Sequence, residues 1–227
     1  MRILFLGDIV GRPGRQAITR LLPRLKTEWE LDCVVANAEN ASGGIGLTAK
    51  NARQLHDIGL DVLTSGNHIW KHKDVFPCLE SKAWLLRPAN YPPGVPGRGW
   101  SIYTLPKGRL AVINLLGRIF MDRIDCPFRV VESILTQVEN QTRHIVVDFH
   151  AEATSEKKAL FYALSGRVSA VIGTHTHVPT ADAQISSEQT AYISDVGMCG
   201  PYHSVIGMDP EPILKRFRTG LPQPFTV

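Results

Sequence analysis

The sequence of 227 residues predicts an α/β layered domain. Short apolar runs, typical of buried strands, alternate along the chain with segments whose apolar residues repeat at helical spacing. Several of these runs are continuously apolar, as expected when both faces of a sheet are covered. The composition, with 44% hydrophobic and 20% charged residues, is that of an ordinary globular protein. We therefore expect a single domain over residues 1–227.

Apolar runs supply the strand candidates. They are Ile3–Gly7, Cys33–Asn37, Val62–Ser65, Leu110–Leu115, His144–Phe149, Val168–Gly173 and Thr190–Asp195. The first run continues directly into Asp8 without a small-residue cleavage site, so it is interpreted as a buried strand and not as a signal peptide. No segment approaches the ~20 apolar residues that a transmembrane helix needs. We expect a cytoplasmic protein with no membrane partner.

Helical spacing is clearest over Arg15–Leu31, between the first two strand candidates. Thr48 is expected to cap a second helix that ends near Gly59. Further helix candidates are Asp74–Ser81, Arg129–Asn140 and Ser155–Leu164. The stretch Arg87–Gly99 is too rich in Pro and Gly for regular structure and is expected to be a long surface loop.

The cysteines and the charges exclude several kinds of protein. Four scattered cysteines form no C-x-x-C pair, which favours free buried thiols over disulfides or a zinc knuckle. The net charge of +4 admits an anionic substrate, but the Lys and Arg residues are dispersed. No stable nucleic-acid complex is therefore expected. The oligomeric state stays open, and a homo-oligomer is compatible with the sequence.

Polar residues follow five of the strand candidates at their ends. The carboxyl ends of strands in an α/β sheet share one edge, where ligands bind, so these side chains should meet. Carboxylate, amide and imidazole groups suit Mn, Fe or Zn, and no thiol lies nearby to favour a softer metal. The candidate metal ligands are Asp8, Glu39, Asn40, Asn67, His150, His175 and His177. This set is too large for one ion and suffices for two when one carboxylate bridges them.

A pair of cations points to hydrolysis of a phosphate ester. Taken singly, the same residues have ordinary interpretations, since Asp8 could cap a turn and Gly66-Asn67 is a common turn dipeptide. His175 and His177 are more specific, because residues i and i+2 of an extended segment point to the same side. The hypothesis depends on the joint occurrence of all these residues at strand ends.

Four motifs distributed along the chain are more specific still. They are Leu6–Gly14 (LGDIVGRPG), Asn37–Gly44 (NAENASGG), Ser65–Trp70 (SGNHIW) and Asp195–Tyr202 (DVGMCGPY). Together they resemble the YmdB-like bacterial branch of the calcineurin-like metallophosphoesterases. The resemblance implies a four-layer αββα sandwich of two mixed β-sheets, a di-iron or di-manganese centre and 2′,3′-cyclic nucleotide phosphodiesterase activity. Relative to that branch the chain ends early, so a final strand pair is expected to be missing.

The resemblance also implies residue roles. One metal would be held by Asp8, Asn40 and His177, the other by Asn67, His150 and His175, with Glu39 bridging. His68 would be the general acid that protonates the leaving oxygen after attack by a metal-activated water. Compared with the wider superfamily, Val10 replaces the His of an Asp-x-His motif. Ile69 replaces an acidic residue that would orient His68, so the orientation of His68 is left open.

Substrate contacts are predicted less sharply. Ser42, Gly43 and Gly44 offer backbone N–H groups for a phosphate, and Lys71 could screen its charge. An ordinary glycine turn and a solvated lysine are the alternatives. Trp70, Tyr91 and Tyr202 are candidates for stacking on a base.

The leading expectation is hydrolysis of a small cyclic nucleotide. A phosphomonoesterase or a nuclease could use the same site, because the metal ligands do not distinguish these substrates. A regulatory protein that binds a nucleotide or a protein partner, with slow turnover, is a further alternative. The Pro- and Gly-rich loop is its only support in the sequence.

Overall fold

The computed structural model describes all 227 residues and contains eleven strands and six α-helices. The strands are β1 Ile3–Leu6, β2 Asp8–Ile9, β3 Cys33–Asn37, β4 Val62–Thr64, β5 Trp100–Leu105, β6 Gly108–Leu116, β7 Ile145–His150, β8 Ala170–Thr174, β9 Gln184–Ile185, β10 Ala191–Ile193 and β11 Met198–Cys199. The helices are α1 Gly11–Glu28, α2 Ala49–Asp57, α3 Phe76–Ser81, α4 Pro127–Val138, α5 Thr154–Leu164 and α6 Pro210–Thr219. None of these helices combines the length and the apolarity needed to span a membrane.

Two sheets pack face to face, and helices cover the outer face of each. The smaller sheet has the strand order β1-β3-β4, and the larger has the order β5-β6-β7-β8-β10-β9. Three apolar clusters separate the layers, one between helices and the smaller sheet, one between the sheets, and one between the larger sheet and its helices. The four-layer αββα sandwich is therefore confirmed. Both strand pairs of the smaller sheet are parallel, so only the larger sheet is mixed.

Strand β3 is apolar up to its last residue because both of its faces are buried. Successive side chains of a strand point to opposite faces of the sheet. Val34 and Ala36 pack in the cluster beneath the helices, whereas Cys33 and Val35 pack in the cluster between the sheets. Burying a valine side chain of this kind contributes ~1.5–3 kcal/mol. Both faces of the strand are thus core, and no position is free for a polar residue until the strand ends at Asn37.

The strand ends of the two sheets meet at one edge of the sandwich. In the larger sheet, His150 at the end of β7 lies level with Thr174 at the end of β8. In the smaller sheet, Asn37 at the end of β3 lies level with Thr64 at the end of β4. Both side chains of that second pair donate hydrogen bonds across the interface to Asp148. The residues that follow these strands are thereby brought together.

Two larger elements were not predicted from the sequence. Strand β5 pairs antiparallel with β6 at the edge of the larger sheet and directly follows the proline-rich loop. Helix α6 carries ordinary end signals, since the Asp209 side chain accepts from Glu211 N and Gly220 ends the helix with φ 69°. It buries only Ile213, so its apolar spacing is too weak to identify it.

The first strand also ends earlier than predicted. Strand β1 stops at Leu6, and Asp8 begins the separate strand β2, which pairs with β11. Gly7 lies between them, where a Cβ would stand 2.0 Å from the carbonyl oxygen of Gly197. Only glycine permits this close approach, which fixes Asp8 against the segment around Asp195.

Candidate metal centre

All seven predicted ligands lie at the shared edge of the two sheets. Asp8 comes from the start of β2, Glu39 and Asn40 follow β3, and Asn67 follows β4. His150 is the last residue of β7, and His175 and His177 follow β8. Residues separated by as many as 167 positions are in direct contact here, as in the bond from His175 N to Asp8 Oδ2 of 3.0 Å.

Glu39 is the central residue of the site. Its side chain is buried, and its Oε1 lies 3.1 Å from His150 Nε2 and 3.1 Å from His68 Nδ1. The same oxygen accepts from Asn40 Nδ2 at 3.1 Å, while Oε2 accepts from His68 N at 3.0 Å. Glu39 thus contacts His150, His68 and Asn40 at once, which places its carboxylate at the centre of the candidate site.

Glu39, His150 and His175 form a compact group of potential ligand atoms. One such atom from each residue lies within 4.8 Å of the other two. His175 Nδ1 is 3.0 Å from His150 Nε2, so two imidazole nitrogens face each other beside a carboxylate oxygen. Nitrogen and oxygen donors of this kind bind borderline divalent ions.

Two oxygens in the site are buried and lack any hydrogen-bond donor. They are Asp8 Oδ1 and Asn67 Oδ1. Asp8 Oδ1 lies 3.7 Å from His177 Nε2 and 3.8 Å from His150 Nδ1, beyond hydrogen-bond distance. Burying an unsatisfied oxygen is costly, and a cation removes that cost. The donor set therefore fits metal binding.

In each of the three candidate imidazole ligands, one ring nitrogen contacts an oxygen atom of the protein that is not itself a candidate ligand. His177 Nδ1 lies 2.7 Å from the Ile206 carbonyl, and His150 Nδ1 lies 2.9 Å from Thr174 Oγ1. Thr174 Oγ1 donates in turn to Asp148 Oδ1 at 2.7 Å. His175 uses Nε2, which is 3.1 Å from Glu152. The second nitrogen of each ring faces the site, an arrangement that orients metal-binding histidines in general.

Asn40 is turned the other way from a metal ligand. Its amide nitrogen faces Glu39 Oε1 and His177 Nε2, the latter at 3.1 Å, and its oxygen accepts from His68 Nδ1 at 2.9 Å. An amide binds a cation through its oxygen. Asn40 can therefore act as a ligand only after its amide group turns by half a rotation.

The pKa values of Glu39 and His175 favour the deprotonated forms that bind a cation. Burial alone would raise the pKa of Glu39, but His150 and His68 beside it hold that pKa well below its usual range. Burial, assisted by the charge of His150, lowers the pKa of His175 to about 3 and keeps this imidazole neutral. Burial would lower the pKa of His150, but Glu39 and Asp8 outweigh it and raise the value to about 9. A cation bound at His150 Nε2 would replace that proton.

The prediction that His175 and His177 lie in an extended segment is wrong. Strand β8 ends at Thr174, and the two histidines have φ values of 108° and 65°. Such values cost of order 1–3 kcal/mol each and persist only where the surroundings enforce them. Asp195 supports this loop by accepting from Thr176 N at 3.0 Å. The histidines thus converge through a strained loop and not through strand alternation.

His68 is oriented by groups distant in sequence. Ile69, which stands where an acidic residue was expected, is fully buried in the core. Glu39 and Asn40 contact His68 Nδ1 instead, at 3.1 and 2.9 Å. The side chain is 36% exposed and lines a cleft beside the candidate ligands. The orienting carboxylate that sequence reasoning could not find is Glu39.

The four predicted substrate contacts lie in different places. Gly44 lines the same cleft as His68. Ser42 Oγ accepts from Thr48 N at 2.9 Å and from Asn51 Nδ2 at 2.7 Å, so it stabilises the start of α2. Gly43 is exposed and lines, with Ser42, a separate depression. Lys71 is exposed and lines neither. Of the four, only Gly44 borders the cleft beside the candidate metal ligands.

Known proteins are similar to this chain in both sequence and fold. A model of the YmdB-like protein family matches residues 4–227. The 2′,3′-cyclic-nucleotide 2′-phosphodiesterase of Bacillus subtilis (strain 168) is 49% identical over 227 residues, which make up 100% of this chain and 86% of that protein. A hypothetical protein from Thermus thermophilus superposes with a TM-score of 0.95 at 47% identity, covering 100% of this chain and 88% of the other. A phosphatase from Mycoplasma pneumoniae gives 0.92 at 38% identity, covering 99% and 82%.

Proposed function

Because this chain belongs to the YmdB-like protein family, we propose that it hydrolyses 2′,3′-cyclic nucleotides at a centre of two metal ions. The observation that carries the proposal is the convergence on Glu39 of imidazoles from two different strand ends, beside two buried oxygens without donors. The similarity to a cyclic-nucleotide phosphodiesterase supports the substrate class. The family implies divalent metal ions, and we propose iron or manganese.

The residues divide into two ligand sets that share Glu39. Asp8, Asn40 and His177 would hold one ion, and Asn67, His150 and His175 the other. Two cations bound there would supply Lewis-acid stabilisation of the phosphoryl group and would activate water as the nucleophile. Asp8 and Glu39 contribute the negative charge of the site, and both are fully buried.

His68 completes the reaction by giving its proton to the leaving ribose oxygen. The bond between phosphorus and that oxygen breaks as an oxygen from water bonds to phosphorus, so the product is a phosphate monoester. Glu39 Oε1 lies 3.1 Å from His68 Nδ1, and the structure gives His68 Nε2 no hydrogen-bond partner. This nitrogen is therefore free to meet the leaving group.

The activity itself can be tested on protein reconstituted with Mn²⁺ or Fe²⁺. We expect hydrolysis of 2′,3′-cyclic AMP, and its loss after chelation with recovery on addition of the metal. Comparison of kcat/KM for cyclic diesters, monoesters and short RNAs separates the proposed function from a phosphomonoesterase and a nuclease. Preference for a monoester or an RNA would contradict the proposal.

The His68→Ala variant should lose hydrolysis while keeping its metal. General-acid catalysis contributes ~10²–10⁴-fold, so we expect kcat to fall by about that factor. The measurement pairs steady-state kinetics with metal content by elemental analysis. His144→Ala, which removes an exposed histidine, is the matched control and should behave like the parent protein. Full activity in His68→Ala would remove His68 from the reaction.

A further inference from the structure

The cleft beside the metal ligands has a second wall of different chemistry. Its volume is about 590 Å³, within the range usual for sites that take small molecules. One wall carries Glu39, His68 and His177, whereas the other is formed by the C-terminal segment through Ile206, Phe217 and Phe225. The apolar wall is therefore continuous with the place where a phosphate would bind.

Phe217 is the most prominent residue of this wall. It lies on α6 and is 81% exposed, although it borders the cleft. Ile206 beside the same cleft is 51% exposed. Exposed apolar groups that line a polar site usually mark a binding surface. An aromatic face that lies open next to a phosphate site suits the flat face of a nucleobase.

Arg216 adds an unpaired cation to the wall. Its guanidinium carbon lies 5.1 Å from the centre of the Phe225 ring, a cation–π contact that holds the group against the wall. The structure shows no salt bridge and no side-chain hydrogen bond for Arg216. Phe225 is itself anchored, because the carbonyl of the adjacent Thr226 accepts from Asp209 N at 2.8 Å. Arg216 thus presents free donors to whatever occupies the cleft.

We propose that this wall, built mainly from Arg216 and Phe217, binds the nucleoside part of the substrate and makes the enzyme selective for nucleotides. The inference rests on the proposed function, since the phosphate of the same molecule occupies the metal side of the cleft. The base stacks on Phe217, and Arg216 supplies hydrogen-bond donors to the nucleoside. Both are specificity-determining residues and take no part in breaking the phosphorus–oxygen bond.

The test compares a substrate that has a base with one that lacks it. For Phe217→Ala and Arg216→Ala, kcat/KM is measured on 2′,3′-cyclic AMP and on methyl riboside 2′,3′-cyclic phosphate. We expect about a tenfold loss on the nucleotide, mostly through KM, because stacking on an aromatic side chain has roughly that effect. Little change is expected on the base-free ester. Tyr162→Ala and Arg20→Ala remove an exposed aromatic residue and an exposed arginine elsewhere and are the matched controls.

Binding of the product gives a readout independent of turnover. Titration calorimetry with adenosine 3′-monophosphate should show about tenfold weaker binding to either variant, and ribose 3-phosphate should show no difference. Equal losses with and without the base, or no loss at all, would overturn the proposal. So would a change of association state in Phe217→Ala by analytical ultracentrifugation, because the wall would then belong to contact with a second copy. If the parent protein hydrolyses neither cyclic ester, the proposed function fails, and the calorimetry alone decides on the wall.

Discussion

Gly66→Ala is expected to abolish metal binding and, with it, hydrolysis. A Cβ at this position would lie 2.2 Å from Glu39 Oε2 and 2.3 Å from His150 Nε2, which are two ligand atoms of the proposed centre. Neither side chain can retreat, because both are buried. Changes to residues that merely support metal ligands typically cost 10–100-fold in affinity or activity, and direct displacement of ligands should exceed about 100-fold. Metal content and kcat/KM measured on the same preparation check the expectation.

A control must separate this clash from general damage to the backbone. Gly94→Ala serves, since a Cβ there meets nothing within 4 Å although φ is 91°. That variant carries backbone strain of about 1–2 kcal/mol and should keep its metal. A Gly66→Ala protein with a full metal complement and normal turnover would show that Glu39 and His150 do not pack around this glycine.

Lys157→Met is expected to lower the free energy of unfolding by ~3–5 kcal/mol. Lys157 is fully buried and donates to Asp195 Oδ2 and to the Thr174 carbonyl, each at 2.9 Å. Removing its charge leaves Asp195 as an uncompensated buried anion. The same carboxylate accepts from Thr176 N and Gly197 N, so the loop that carries the two histidines should loosen as well. For a chain of this size the change corresponds to roughly 10 °C in Tm.

Urea titration and calorimetry measure the effect, with the neighbouring residue as control. Lys158→Met removes a lysine from the exposed face of the same helix and should cost less than about 0.5 kcal/mol. The double variant Lys157→Met with Asp195→Asn should recover part of the loss, because no buried charge then remains. If Lys157→Met were no less stable than Lys158→Met, the ion pair would contribute nothing to the fold.

The convergence of the candidate ligands was predictable because the carboxyl ends of parallel strands share one edge of a sheet. Strand β3 ends at Asn37, two residues before Glu39, and β7 ends at His150 itself, so both residues lie at the shared edge. Glu39 and His150 were located by this argument alone. The fold class was also accessible, since apolar runs that alternate with helical segments indicate an α/β layered domain. Its four-layer form came from the resemblance and not from the pattern.

What could not be predicted depends on contacts between distant segments. The left-handed φ values of His175 and His177 are enforced by Asp195, and nothing in the local sequence requires them. Trp70 and Tyr91, proposed for stacking on a base, pack against each other with ring centres 5.2 Å apart at the edge of the core. The aromatic wall comes instead from Phe217, on a helix whose apolar spacing was too weak to recognise.

Asp148 links the two sheets beside the candidate metal centre. It lies on the larger sheet yet accepts from Asn37 and Thr64 of the smaller one, and through Thr174 it also supports His150. The proposed ligands are likewise divided, with Glu39 on one sheet and His150 on the other. A cation at this edge would act as a cross-link that resists shear of one sheet over the other. The metal would then bind only when both halves of the sandwich are docked. Loss of the metal would therefore lower the stability of the whole interface between the two sheets.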